Sequence, residues 1–276
     1  MMSLASLPTQ FSCWWMVFRI ALEERLAYRG DFALGTLMRF LPIITQIFLW
    51  SAVFESVNGR LAGYTLPDMI AYYLLSMLAR AFSSMPGLAS TVAKQIRDGE
   101  IKKFIIQPID MIGFLLLGRV AHKIAYYTIA TLPFALVFFL CRGYFSSGWP
   151  SADVLLAFLL SLVMAFLLGF FVDLCIGLIG FWFLEVSSLL FVYMLLNFFL
   201  SGHMFPLDLL GSWQFVVNFL PFKYLAYFPA AIFLGKIESS QLWIELGLEA
   251  VWLLGLICLA RFLYARGLRR YSGYGG

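Results

Sequence analysis

Residues 152–181 read ADVLLAFLLSLVMAFLLGFFVDLCIGLIGF. Only Asp153 and Asp173 carry charge in that run, which is longer than the roughly 20 mostly apolar residues needed to cross the hydrocarbon core of a bilayer. Inside a bilayer the backbone must satisfy its own hydrogen bonds, so such a run is a helix. Working outward, five more apolar segments resemble it: Phe32–Val57, Asp68–Val92, Met111–Leu140, Val186–Leu200 and Leu242–Tyr264. The fold class expected is an all-α integral membrane protein with six transmembrane helices. Composition agrees: hydrophobic residues are 62% and charged residues 12% of the 276, with a mean hydropathy of +0.90. No hydrophilic stretch is long enough for a separate soluble domain, so residues 1–276 are expected to form one membrane domain.

The net charge of +4 is small, and nothing in its placement points to nucleic acid. Cys13, Cys141, Cys175 and Cys258 are scattered without a close pair, which fits packing better than a disulfide or metal site. The first apolar run, Phe11–Ile20, carries Arg19 and is followed by Glu23, Glu24, Arg25 and Arg29, with no small-residue cleavage site. It does not read as a signal peptide and is expected to stay on the protein. On a helix, Trp14, Trp15, Phe18 and Leu22 gather toward one side and Arg19 and Glu23 toward another. This predicts an amphipathic helix lying in the interface.

Two regions break the apolar pattern. Residues 93–110, AKQIRDGEIKKFIIQPID, are the most polar internal stretch, with a turn signal at Asp98-Gly99 and a helix stop at Pro108. Residues 201–240 hold Gly202, Pro206, Gly211, Pro221, Pro229 and Gly235 among apolar side chains. That is too broken for one span and too apolar for a free loop, so it predicts short helices dipping into the membrane under the shelter of neighbouring protein. Asn58–Pro67, with Gly59 and Gly63, and CRGYFSSGWPS at 141–151 read as loops.

Charge gives the topology. Six spans put both termini on one side with Arg19, Arg25, Arg29, Lys94, Arg97, Lys102, Lys103, Arg266, Arg269 and Arg270. The other side holds Arg60, Arg142, Lys223 and Lys236. The excess of cations marks the cytoplasmic face, which therefore carries both termini and the 93–110 segment and leaves 201–240 outside. Inside the spans, Arg39 is placed to snorkel to the headgroups. Arg80 and Asp173 are the intramembrane charges of most interest, each open to two readings: an ion or proton path, or a packing contact. Arg119 and Lys123 lie a turn apart and suit the interface or a partner helix. His122 and His203 are solitary and read as structural. Gly169, Gly177 and Gly180 would let helices approach closely.

There is no G-x-x-x-x-G-K-[ST] loop, H-E-x-x-H or G-x-S-x-G in the chain, so it has no recognisable ATP-binding, metalloprotease or serine-elbow device. IRDGEIKKFIIQPID (Ile96–Asp110), together with SGHMFPLDLL (201–210) and LPFKYLAYFPAAIFLG (220–235), resembles the permease subunit of type-2 ABC transporters. The likeness covers nearly the whole chain. It implies a cell-membrane exporter subunit that works with a second permease copy, identical or paralogous, and with separate ATPase subunits that hold ATP-Mg; the chain itself would need no cofactor. It also implies that Arg97, Asp98, Gly99, Glu100 and Lys102 dock on the ATPase. Gly202, Pro206, Pro221, Phe222, Pro229 and Gly235 would shape an external re-entrant hairpin that acts as the outer gate. An acidic residue often found in that hairpin is matched only loosely, by Asp208 or Glu238. Two other classes stay open on the residues alone: an ion- or proton-coupled carrier built on Asp173 and Arg80, and a membrane-embedded lipid-modifying enzyme.

Overall fold

The computed structural model describes residues 7–27, 29–56, 60–107, 109–145, 148–183 and 185–271. Asn58, Gly59 and Pro108, and the side chains of Arg25, Arg29 and Arg39, lie outside the described residues. The protein is 82% helix, with no strand among the described residues. Eleven α-helices follow in order: α1 Leu7–Ala27, α2 Arg29–Ser56, α3 Leu66–Ser83, α4 Leu88–Arg97, α5 Lys102–Ile106, α6 Met111–Leu140, α7 Ala152–Leu178, α8 Ser187–Leu200, α9 Gln214–Asn218, α10 Tyr227–Phe233 and α11 Ser239–Arg270. Among the described residues three are long and apolar enough to cross a membrane: α6, α7 with its short 3₁₀ extension to Phe181, and α11. Leu41–Ser56 and α8 are shorter apolar helices.

The chain forms two compact units. One joins the chain up to Ile44 with Lys103–Leu140. Here α1 packs along α6, and a Cβ placed on Gly113 would meet the Trp14 ring at 3.3 Å. The Asp110 carboxylate starts α6 by accepting the Gly113 N–H at 2.8 Å. On α1, Arg19 and Glu23 pair at 2.8 Å on the exposed side, as their spacing of four predicts, and the Trp15 and Phe18 rings lie 5.6 Å apart.

The other unit joins Thr45–Lys102 with the chain from Cys141 onward, and α7 is its axis. It packs against α3, α4, α10 and α11, with Ala157, Ala165, Leu168, Phe170 and Leu174 fully buried. The close approach expected of the α7 glycines is present. A Cβ on Gly169 would lie 2.0 Å from the Ser83 carbonyl oxygen, and one on Gly177 would lie 2.8 Å from that of Ala89. Gly180 similarly faces the Ala93 Cα at 3.1 Å. The end of α3 and the length of α4 therefore rest on the α7 backbone itself.

One expected boundary is corrected. The segment Asp68–Val92 is not a single helix: α3 stops at Ser83 and α4 begins at Leu88. The Ser84 N–H closes α3 on the Arg80 carbonyl at 2.9 Å. Pro86 has no N–H to carry the helix on, and Gly87 takes a φ of 72°, a conformation glycine reaches without a Cβ clash. The last helix is longer than expected, running from Ser239 to Arg270.

Candidate functional site

Three groups of residues carry the chemistry. The first is the turn after α4. Leu88, Ala89, Val92, Ala93 and Ile96 are buried while Thr91, Lys94 and Arg97 are exposed, so α4 seats one face on α7 and turns the other outward. The Asp98 and Gly99 N–H groups cap the helix on the Lys94 and Ile96 carbonyls, at 2.8 and 3.3 Å. Gly99 takes a φ of 78°, and the fully buried Ile101 pins the far side of the turn. The result is a fixed charged knuckle with Arg97, Asp98, Glu100 and Lys102 exposed. Arg97 reaches Asp98 at 3.3 Å and Glu185 at 3.7 Å. The Ser187 hydroxyl and amide, with Arg97, hold the Glu185 carboxyl below its usual range.

The second is a cavity of about 330 Å³ among α3, α4, α7 and α8, into which both Arg80 and Asp173 open. The sequence cannot pair these two residues; the fold brings them to one chamber. The Tyr193 hydroxyl donates to the Asp173 carboxylate, and Asn197 Nδ2 donates to the Tyr193 oxygen at 3.1 Å. The Arg80 guanidinium lies 5.8 Å from the centre of the Phe198 ring. His203 packs between Phe198 and Tyr73, with ring centres at 5.4 and 6.2 Å.

The third is the broken segment after α8, whose glycines and prolines have distinct jobs. Gly202 takes a φ of 75°, and a Cβ there would come within 2.6 Å of Tyr227 and 2.9 Å of the Tyr72 hydroxyl. The Tyr72 hydroxyl donates to the Gly202 carbonyl at 2.5 Å, and the Tyr227 N–H donates to the Ser201 carbonyl at 2.9 Å. Pro206 and Pro221 each introduce a 3₁₀ turn, Leu207–Trp213 and Pro221–Leu225. Pro229 sits in the first turn of α10, where its missing N–H costs nothing. Gly235 ends α10 with a φ of 63°, its N–H bound to the Ile232 carbonyl at 3.0 Å. Phe222 stacks near Tyr193 at 6.4 Å.

Asp208 is the hub of this segment. It accepts hydrogen bonds from Tyr64 at 2.8 Å, Tyr227 at 2.8 Å and Gln214 at 3.0 Å. Burial and the Asp208 carboxylate hold the Tyr64 phenol well above the ordinary tyrosine value, so it remains a donor. Lys236 adds a second tie, donating to the Gly63 carbonyl at 3.0 Å and to Asp68 at 3.1 Å. The loop before α3 is thus fastened to the broken segment from both ends.

Sequence reasoning passed over one further cluster. Lys223, counted above among the cations of the outer side, is 5% exposed and pairs with Glu245 of α11 at 2.8 Å. The Tyr224 hydroxyl donates to the same carboxylate at 2.9 Å. Glu249, one turn further on, is fully buried, with the Ser161 hydroxyl as the polar neighbour of its carboxyl. The signal was the one that singles out Asp173: a carboxylate in an apolar helix.

Long apolar helices packed on glycine faces, with charges enclosed between them, define a multi-pass helical membrane protein. The family model described as ABC-2 family transporter protein matches residues 40–275, and the chain belongs to that family. It is a permease component of an ABC transporter, a transport subunit and not itself a catalyst. No curated protein matched the chain.

Proposed function

We propose that this permease is the membrane-spanning half of an ATP-driven exporter, powered by separate ATPase subunits that bind on the cytoplasmic side at the knuckle Arg97–Lys102. In this reading residues 1–276 form one permease domain of the cell membrane. It has six spans, both termini in the cytoplasm, α1 in the lipid interface, and the 201–240 segment as an external re-entrant gate. Two copies, identical or paralogous, line the path and are bathed in lipid. ATP-Mg belongs to the ATPase, and this chain supplies no nucleotide site.

The observation that carries the reading is the mechanical setting of the knuckle. Its charged side chains are exposed, while the helix behind it is seated on α7 with glycine at the contacts. A push on exposed charges at the end of a seated helix moves the helix as a rigid body, the kind of input that switches packed helices between two arrangements. At the opposite end of the same unit, Asp208 and Lys236 fasten the broken segment to the loop before α3. Displacement of α3 and α7 therefore reaches the gate through direct contacts.

The test is co-purification. Arg97→Glu and Glu100→Lys, alone and together, should reduce the ATPase recovered with the permease, along with the ATP hydrolysis that the permease stimulates. Full recovery and full stimulation in both variants would remove the docking assignment.

A further inference from the structure

The knuckle after α4 is not held firmly by its own main chain. The Gly99 N–H reaches the Ile96 carbonyl at 3.3 Å, the Ile101 N–H reaches that of Gln95 at 3.2 Å, and the Lys102 N–H reaches that of Gly99 at 3.3 Å. These lie at or beyond the long end of the ordinary hydrogen-bond range. The glycine in the middle of the turn adds backbone freedom. A turn of this kind keeps one shape when side chains from elsewhere anchor it. The buried Ile101 is one such anchor, and Tyr271 is a second. A Cβ placed on Gly99 would lie 3.5 Å from the Tyr271 hydroxyl, so the phenol covers the one residue of the knuckle that has no side chain.

Ring packing keeps the phenol there. Its hydroxyl is buried and makes no hydrogen bond among the described residues. The Tyr271 ring meets the Phe181 ring edge to face, with centres 6.0 Å apart and planes at 82°, an attractive aromatic geometry. Phe181 is held in turn by α11, where a Cβ on Gly267 would fall 2.2 Å from its ring. The Tyr271 N–H closes α11 on the Gly267 and Leu268 carbonyls, at 3.0 and 3.3 Å, which sets where its side chain leaves the helix. Gly180, next to Phe181, lies against Ala93 of α4. The ends of α4, α7 and α11 thus meet behind the knuckle. We infer that Tyr271 is a positioning residue for the docking knuckle: its ring, propped on Phe181, backs Gly99 and holds the charges from Arg97 to Lys102 in one presentation. A preformed surface binds more tightly than one that must be ordered on contact. The effect on ATPase binding rests on the docking reading; the stiffening of the turn does not.

Two measurements test it. The first is hydrogen exchange followed by mass spectrometry on the purified full-length permease alone. In Tyr271→Ala the peptides covering 96–102 should exchange several-fold faster while those of α7 keep their wild-type rates. Tyr271→Phe should match the wild type, because the hydroxyl carries no bond. The second is titration with the ATPase that co-purifies with the wild type, at several salt concentrations. Tyr271→Ala should weaken binding several-fold and leave the salt dependence unchanged, since no charge is lost, whereas Arg97→Glu should weaken binding and flatten that dependence. Unchanged exchange at 96–102 in Tyr271→Ala overturns the inference. So does equal acceleration throughout α7, which would make Tyr271 a general stabiliser, and so does full ATPase affinity in Tyr271→Ala while Arg97→Glu weakens binding. Unaltered binding in Arg97→Glu would instead remove the docking reading, and faster local exchange in Tyr271→Ala would still support the stiffening.

Discussion

Removing the Asp208 carboxylate should loosen the broken segment from the loop before α3, and the size of the effect follows from its three partners. A hydrogen bond to a charged group is worth about 1.5–3 kcal/mol where water cannot replace it. Tyr64 is 1% exposed, so its bond takes full weight. Tyr227 and Gln214 are only partly buried, and water can recover part of theirs. The expected cost of Asp208→Ala is therefore about 3 kcal/mol, a fall in melting temperature of roughly 6 to 12 °C on the scale of a domain of some 200 residues. Asp208→Asn keeps the volume and one acceptor oxygen and should cost about half as much. The assay is thermal unfolding of the purified full-length chain followed by tryptophan fluorescence, run as a double-mutant cycle with Tyr64→Phe. The cycle should give a coupling energy of about 1 kcal/mol or more, because the two groups share a bond that each single change removes. Additive effects of Tyr64→Phe and Asp208→Ala, or a melting temperature for Asp208→Ala within about 2 °C of wild type, would refute the hub.

Other changes should follow their contacts. Gly177→Val places atoms against the Ala89 backbone and should destabilise by about 1–3 kcal/mol or more, whereas Gly247→Ala, which meets nothing within 4 Å, should be neutral or slightly stabilising in the same melting assay. Lys223→Met should cost about 3 kcal/mol by leaving the Glu245 carboxylate half-buried without its cation. The double variant Lys223→Met with Glu245→Met should cost less than Lys223→Met alone; an equal or greater loss would show that the ion pair itself stabilises the fold. Glu249→Leu exchanges a fully buried carboxyl, with only the Ser161 hydroxyl beside it, for an apolar group and should raise stability by about 1 kcal/mol; a drop in melting temperature would contradict that account.

Helices whose information is local were the legible part of the fold. The apolar runs that set α6 at Met111–Leu140 and α7 with its extension to Phe181 are read directly from composition and length, and the structure places them at those residues. The break after Ser83 was harder, because an apolar run continues through it and only Pro86-Gly87 marks the stop. Within the candidate site, the turn signal at Asp98-Gly99 and the prolines of 201–240 name the irregular places but not their partners. Pairings between distant segments had no local trace. Arg80 and Asp173 share a chamber because α7 glycines draw α3 and α4 inward. Asp208 becomes a hub only when Tyr64 and Tyr227 fold over it. Lys223 misleads for a related reason: beside Pro221 it resembles a loop cation, and its burial depends on Glu245 arriving from the last helix.

The glycine face of α7 also decides how stiff the molecule is between its two ends. Side chains swing among rotamers and can absorb a small shift before passing it on. Where Gly169 meets Ser83 and Gly177 meets Ala89, main chain bears on main chain and that slack is absent. Such a joint has no soft layer to take up strain: a methyl group added at either glycine would press on the facing main chain and could be accommodated only by moving the helix itself.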